Sequence, residues 1–131
     1  MAFVFVNPNP SQNLTGDCVI RAISLAENMS WEDTYMELAI EGFLLHDMPS
    51  ANHVWSHYLT QKKYKRYVIP NTCPECYTVN TFAADHSKGI YILATGTHVV
   101  TVSDGNYFDT WDSGNEIPIY YFKKGTSYGN V

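Results

Sequence analysis

Cys18 follows Gly16-Asp17 and opens the amphipathic run Cys18-Val19-Ile20-Arg21-Ala22. A thiol in the first turn of a helix sits at the positive end of the helix dipole, which favours the thiolate, the nucleophilic form. His98 begins the run His98-Val99-Val100-Thr101-Val102, and Asp109 comes one hairpin later, in Tyr107-Phe108-Asp109-Thr110-Trp111-Asp112. Asp104-Gly105-Asn106 between these runs predicts an antiparallel turn, because small polar residues and glycine take φ > 0 cheaply. The hairpin brings His98 within cross-strand reach of Asp109 or Thr110. Strand alternation predicts His98, Val100 and Val102 on one face. A carboxylate that orients an imidazole, and an imidazole that takes the proton of a thiol, form the nucleophile, base and orienter set of acyl transfer. Asp109 is the expected orienter and Asp112, three residues on, the alternative.

This chain order, a cysteine helix followed by a histidine strand and an aspartate strand, resembles the papain-like cysteine peptidases. The small bacterial and phage-type forms and the related double-glycine leader peptidases are the nearest in kind. The resemblance rests on these residues and not on a Cys-Gly-Ser-Cys-Trp signature, which the sequence lacks. It implies that Gln12, six residues before Cys18, or the neighbouring Asn13, donates its side-chain amide to the oxyanion. It also implies that Asp109-Thr110-Trp111 corresponds to the Asn-Ser-Trp run of papain, with Trp111 shielding the His98–Asp109 bond from water. The expected activity is hydrolysis of a peptide or isopeptide bond through a thioester on Cys18, with a peptide or protein as substrate and no cofactor or metal. The Cys18 N–H would be a second oxyanion donor, each donor being worth roughly 3 kcal/mol. Two alternatives use the same residues: an acyltransferase or transglutaminase-like enzyme, in which an amine replaces water, and a catalytically inert peptide-binding module.

The elements that must position these residues fall into two halves. From Asp17 to about Lys63 the apolar period is helical. Val19, Ile20, Ala22, Ile23 and Ala26 share the buried face of a first helix. Ser30 before Glu32-Asp33 caps a second helix running to Leu45, with Trp31, Tyr35, Leu38 and Ala39 as its buried stripe. A third helix spans about Ala51 to Lys62, with Val54, Trp55, Tyr58 and Leu59 facing inward. Beyond Tyr64 the period shifts towards two. Strands are predicted at Tyr64–Ile69, Gly89–Ala94, His98–Ser103, Tyr107–Thr110 and Ile117–Phe122, with a short helix from Thr78 to about His86. Helices first and an antiparallel meander afterwards predict an α+β domain, N-terminal helices packed on a C-terminal antiparallel sheet. Residues 1–131 read as a single domain, with 1–11 an N-terminal extension and 125–131 a frayed tail.

Composition narrows the partners. The 131 residues suit one domain, and 45% hydrophobic against 16% charged residues excludes extensive disorder. Eight basic and 13 acidic residues give a net charge of −5, which argues against a nucleic-acid partner. The cluster Lys62-Lys63-Tyr64-Lys65-Arg66-Tyr67 reads instead as a solvated helix end leading into an edge strand. No apolar run approaches the roughly 20 residues that span a bilayer, and the first residues lack the pattern of a signal peptide. A cytoplasmic, reduced setting is therefore expected, with the three cysteines as thiols. Cys73-Pro74-Glu75-Cys76 reads first as loop thiols, with a metal site, a regulatory disulfide or a redox centre as alternatives. His86 would complete at most a three-ligand set there. His53 and His57, spaced i, i+4, read as solvated helix positions, Val54 standing where a His-Glu-x-x-His motif needs glutamate.

Overall fold

The computed structural model describes residues 3–125. Four helices and six strands follow the order β1 (Phe3–Phe5), α1 (Cys18–Glu27), α2 (Trp31–Leu45), α3 (Asn52–Gln61), β2 (Tyr64–Val68), α4 (Val79–Asp85), β3 (Ile90–Ala94), β4 (Val99–Ser103), β5 (Asn106–Asp109) and β6 (Tyr120–Lys124). The strands form one sheet in the order β1-β5-β4-β3-β6-β2. Helices α1 to α3 cover one face, where Ile23, Leu38, Trp55 and Leu59 pack on Ile92 and Phe122. On the other face Val79, Phe82 and Ala83 of α4 pack on Leu93, Val100 and Val102. The α+β class holds. Among the described residues no helix is long and apolar enough to cross a membrane.

The predicted inward positions of α3 are all buried, with Val54, Trp55 and Leu59 fully so. Ser30 caps α2 by accepting the Asp33 N–H at 3.0 Å. The buried face of α2 differs from the predicted stripe, however. It consists of Thr34, Leu38, Glu41 and Gly42, while Tyr35 is exposed. Gly42 decides this rotation: a Cβ there would lie 2.6 Å from the Asp47 carbonyl oxygen, so only glycine lets the chain after α2 fold back so closely. Asp47 N–H caps the helix end on the Gly42 carbonyl at 2.9 Å.

Several strand expectations need correction. The expected meander is broken, because β6 returns to lie between β3 and β2 and not beside β5. Residues Phe3–Phe5, read as part of an extension, form an edge strand parallel to β5, so the sheet is mixed and not purely antiparallel. The last strand begins at Tyr120, because Pro118 has no N–H to give to a ladder. β4 begins at Val99, one residue after His98. β2 lies at the other edge, as its lysines suggested, with Arg66 over the Tyr120 ring at 4.2 Å. The tail expected to fray lies outside the described residues from 126 onward.

Candidate active site

Helix α1 meets the sheet at β4, where Thr101 Oγ1 donates to the Ala22 carbonyl at 2.6 Å. That buried bond fixes the height of α1 against the strand, and hence of Cys18 against His98. His98 is delivered by a tight turn. Thr95 Oγ1 accepts the backbone N–H groups of Thr97 at 3.1 Å and His98 at 2.9 Å, and Thr95 N–H closes on the His98 carbonyl at 2.8 Å. Val100 and Val102 face α4, and strict alternation would send His98 after them. The turn rotates it instead towards α1, which corrects the predicted shared face.

Cys18, His98 and Asp109 come together in one chain of contacts. His98 Nε2 donates to Asp109 Oδ2 at 2.6 Å, and the His98 side chain is only 10% exposed. Its other nitrogen, Nδ1, is left free for the thiol, and Cys18 and His98 line the same two cavities. Burial by itself pushes the Cys18 thiol up. The His98 hydrogen bond and charge, the Val99 N–H and the Arg21 charge outweigh it and hold the thiol below its ordinary 9.0. Burial pushes His98 down, but the Asp109 and then the Cys18 hydrogen bonds raise it from 6.5 to about 9. For Asp109, burial pushes the carboxyl up, and His98, Ser113 and the Thr110 N–H together bring it below 3.8. The shifts on thiol and ring both favour a thiolate–imidazolium pair.

Four donors converge on the buried Asp109. Besides His98, Oδ2 accepts Ser113 Oγ at 2.7 Å, while Oδ1 accepts the Thr110 N–H at 2.8 Å and Arg21 Nη2 at 3.2 Å. Arg21 is itself buried, 7% exposed, and its other nitrogen forms an ion pair with Asp17. Asp17 Oδ2 also takes the indole N–H of Trp31 at 2.9 Å. The Asp17 side chain makes no capping bond to α1, since its oxygens are engaged by Arg21 and Trp31. Arg21, Ser113 and Thr101 were not singled out from the sequence. The i, i+4 Asp17–Arg21 pair was the one visible signal.

Trp111 packs on His98 with ring centroids 4.9 Å apart, where it covers the imidazole. Asp112 accepts the Tyr107 hydroxyl and the Gly114 N–H and does not bond His98 in the structure. Gln12 is a correction. Its side-chain nitrogen donates to the Asn7 and Asn9 carbonyls, each at 3.0 Å, so both amide hydrogens are taken by its own loop. Neither Gln12 nor Asn13 lines the cavities beside Cys18, and the Asn13 carbonyl accepts from Asn7.

Two cavities flank the thiol–imidazole pair. One, of about 260 Å³, is lined by Cys18, His98, Ser50, Asn52 and Trp55. The other, of about 420 Å³, is lined by Cys18, Arg21, Thr97, His98 and Trp111. In the first, Trp55 Nε1 donates to Asn52 Oδ1 at 3.2 Å. An indole N–H can only donate, so the Asn52 oxygen is its partner and the amide nitrogen is the group left over.

Elsewhere, Cys73 and Cys76 form a disulfide, with Cα atoms 4.1 Å apart, in place of the expected loop thiols. Cys18 is thereby the one free cysteine. His53 pairs with Asp47 at 2.5 Å, and His57 with Glu41. The family models, the curated proteins and the solved structures contain no significant match to this chain.

Proposed function

We propose that the protein is a papain-like cysteine peptidase that cuts a peptide or isopeptide bond through an acyl-enzyme on Cys18. The observation that carries this reading is that Cys18 and His98 share the walls of two open cavities, with His98 Nε2 bonded to Asp109 Oδ2 at 2.6 Å. The Cys18 thiolate attacks the carbonyl carbon, forming an S–C bond and an oxyanion. As the oxyanion collapses, the C–N bond breaks and the imidazolium of His98 gives its proton to the departing amine. A water then adds to the thioester, His98 takes its proton, and the thiolate leaves. Asp109 holds the ring with Nε2–H towards itself and Nδ1 towards the thiol throughout.

The oxyanion needs donors other than Gln12. The uncapped first turn of α1 offers the Cys18 backbone N–H. The Asn52 amide nitrogen, oriented by Trp55 and lining the same cavity as Cys18, is the side-chain donor in this reading.

An activated acyl donor such as a p-nitrophenyl ester tests it. A burst of nitrophenol and a mass increase on Cys18 are expected, and both are lost in Cys18→Ala. Hydrolysis that survives Cys18→Ala refutes the assignment. Resolution of the acyl-enzyme by added amine in preference to water would move the reading to an acyltransferase.

A further inference from the structure

A third cavity, of about 380 Å³, opens between the starts of α1 and α2 and the turn into α3, with walls of Val19, Ile20, Trp31, Tyr35, Met48 and Pro49. It shares Gly16, Val19 and Ser50 with the cavity that holds Cys18 and His98, so the two are neighbours across these residues. The volume lies in the range of ligand sites. Trp31 has already given its N–H to Asp17, so it offers the cavity an apolar ring with no unmet donor. Beyond the rim, where Tyr35 and Met48 stand, the exposed face of α2 continues as Met36, Ile40, Phe43 and Leu44, which are 55–79% exposed. Their spacing of four, three and one residues places them on one stripe of the helix. A contiguous apolar patch of this kind on a chain with otherwise polar helix faces marks a contact surface.

We propose that this cavity and the α2 stripe together seat an apolar, basic-flanked segment of the polypeptide substrate, beside the carbonyl that meets Cys18. The proposal rests on the peptidase reading and names its substrate class. Adjacency to the thiol cavity selects a chain long enough to reach both. Charge selects its flanks: Glu32, Asp33 and Asp47 are exposed around the patch, on a protein of net charge −5. The same charges disfavour a second copy, which would bring its own acidic α2 turn against this one.

The probes are two dye-labelled 12-residue peptides with lysine at both ends, one with a Leu/Phe interior and one with a Ser/Asn interior. Fluorescence anisotropy with the full chain is expected to give at least tenfold tighter binding of the apolar peptide. Met48→Asp and Phe43→Glu, both at exposed positions, should each weaken it at least fivefold. Saturating apolar peptide should also slow alkylation of Cys18 by iodoacetamide at least fivefold. Equal binding of the two peptides, insensitivity to both substitutions, or binding without protection of Cys18 overturns the proposal. A concentration-dependent dimer in sedimentation that Phe43→Glu abolishes gives the stripe to a second copy and overturns it as well. The peptidase reading fails on a different readout, an unprotected Cys18 that alkylates no faster than an ordinary thiol.

Discussion

Replacing Asp109 by asparagine removes one negative charge and one oxygen from a point where four donors meet. His98 and Ser113 share Oδ2, and Arg21 and the Thr110 N–H share Oδ1. An amide presents an NH₂ group on one side, so either orientation sets donor against donor. The His98 ring then loses the strongest of the influences that raise it. Its full rise from 6.5 to about 9 corresponds to about 3 kcal/mol. Cys18 supplies part of that rise, so losing Asp109 should lower the population of the thiolate–imidazolium pair by about 10- to 100-fold. Cys73 and Cys76 are bonded to each other, so iodoacetamide uptake measured by intact mass reports on Cys18 alone. Measured from pH 4 to 10, the wild-type rate should rise with a midpoint below the ordinary 9.0. In Asp109→Asn the midpoint should move up towards 9.0, and the rate at pH 7 should fall 10- to 100-fold. Ser113→Ala, which keeps the carboxylate, should change the rate less than threefold. An Asp109→Asn protein with native circular dichroism and a wild-type profile would show that Asp109 does not sustain the ion pair.

Three further outcomes follow from the same geometry. Arg21→Ala strands the buried carboxylates of Asp17 and Asp109, and urea unfolding should register a loss of about 3–5 kcal/mol, while Arg21→Lys should lose less. Asn52→Ala should lower acyl-enzyme formation by 10²- to 10³-fold with little change in iodoacetamide alkylation, since displacement at an sp³ carbon develops no oxyanion. Equal effects on both rates would remove Asn52 from the oxyanion site. The raised His98 stabilises the fold fully below pH 6.5, and this contribution is lost as the pH climbs to about 9. In a Cys18→Ala background, where the Cys18 share of the rise is gone, the stability advantage of His98 over His98→Gln should therefore shrink from pH 6.5 upward and be lost before pH 9.

The local signals that were legible in the sequence were those that a short stretch can carry. Ser30 with Glu32-Asp33, the Val54-Trp55-Tyr58-Leu59 face and Asp104-Gly105-Asn106 each specify structure within a few residues, and each appears as expected. Cys18, His98 and Asp109 could be grouped because one hairpin joins the last two and a helix start marks the first. What failed was nonlocal. Phe3–Phe5 is too short to read as a strand without β5 beside it. The burial of Thr34 and Glu41 in place of Tyr35 depends on the close passage of the chain over Gly42. Gln12 has the right spacing for an oxyanion donor, but its backbone sits at φ 57° and its amide closes on its own loop. Arg21 looks like an ordinary helix residue until Asp109, 88 residues along the chain, comes beside it, whereas Ser113 is only four residues from Asp109 and carries no motif of its own.

With the ring and thiol ionised, the Asp17–Arg21–Asp109–His98–Cys18 sequence alternates in sign: carboxylate, guanidinium, carboxylate, imidazolium, thiolate. Alternation is what allows five ionisable groups to share a poorly hydrated region, because each charge has an opposite neighbour. It also explains why Asp17, at the N-cap of α1, does not cap it. An aspartate whose side chain bonded the first-turn N–H groups would stabilise the helix by about 1 kcal/mol. It would equally place a negative charge against the thiolate and occupy the donors next to it. With Asp17 held aside by Arg21 and Trp31, the first-turn N–H groups are left to whatever negative charge arrives at Cys18. In the proposed reaction that charge is the oxyanion. On this reasoning Asp17→Asn, which weakens the grip of Arg21 and frees the side chain to cap α1, should stabilise the isolated helix start yet slow acyl-enzyme formation. A variant that gains neither helix protection in hydrogen exchange nor loses acylation rate would break the link between the missing cap and the chemistry.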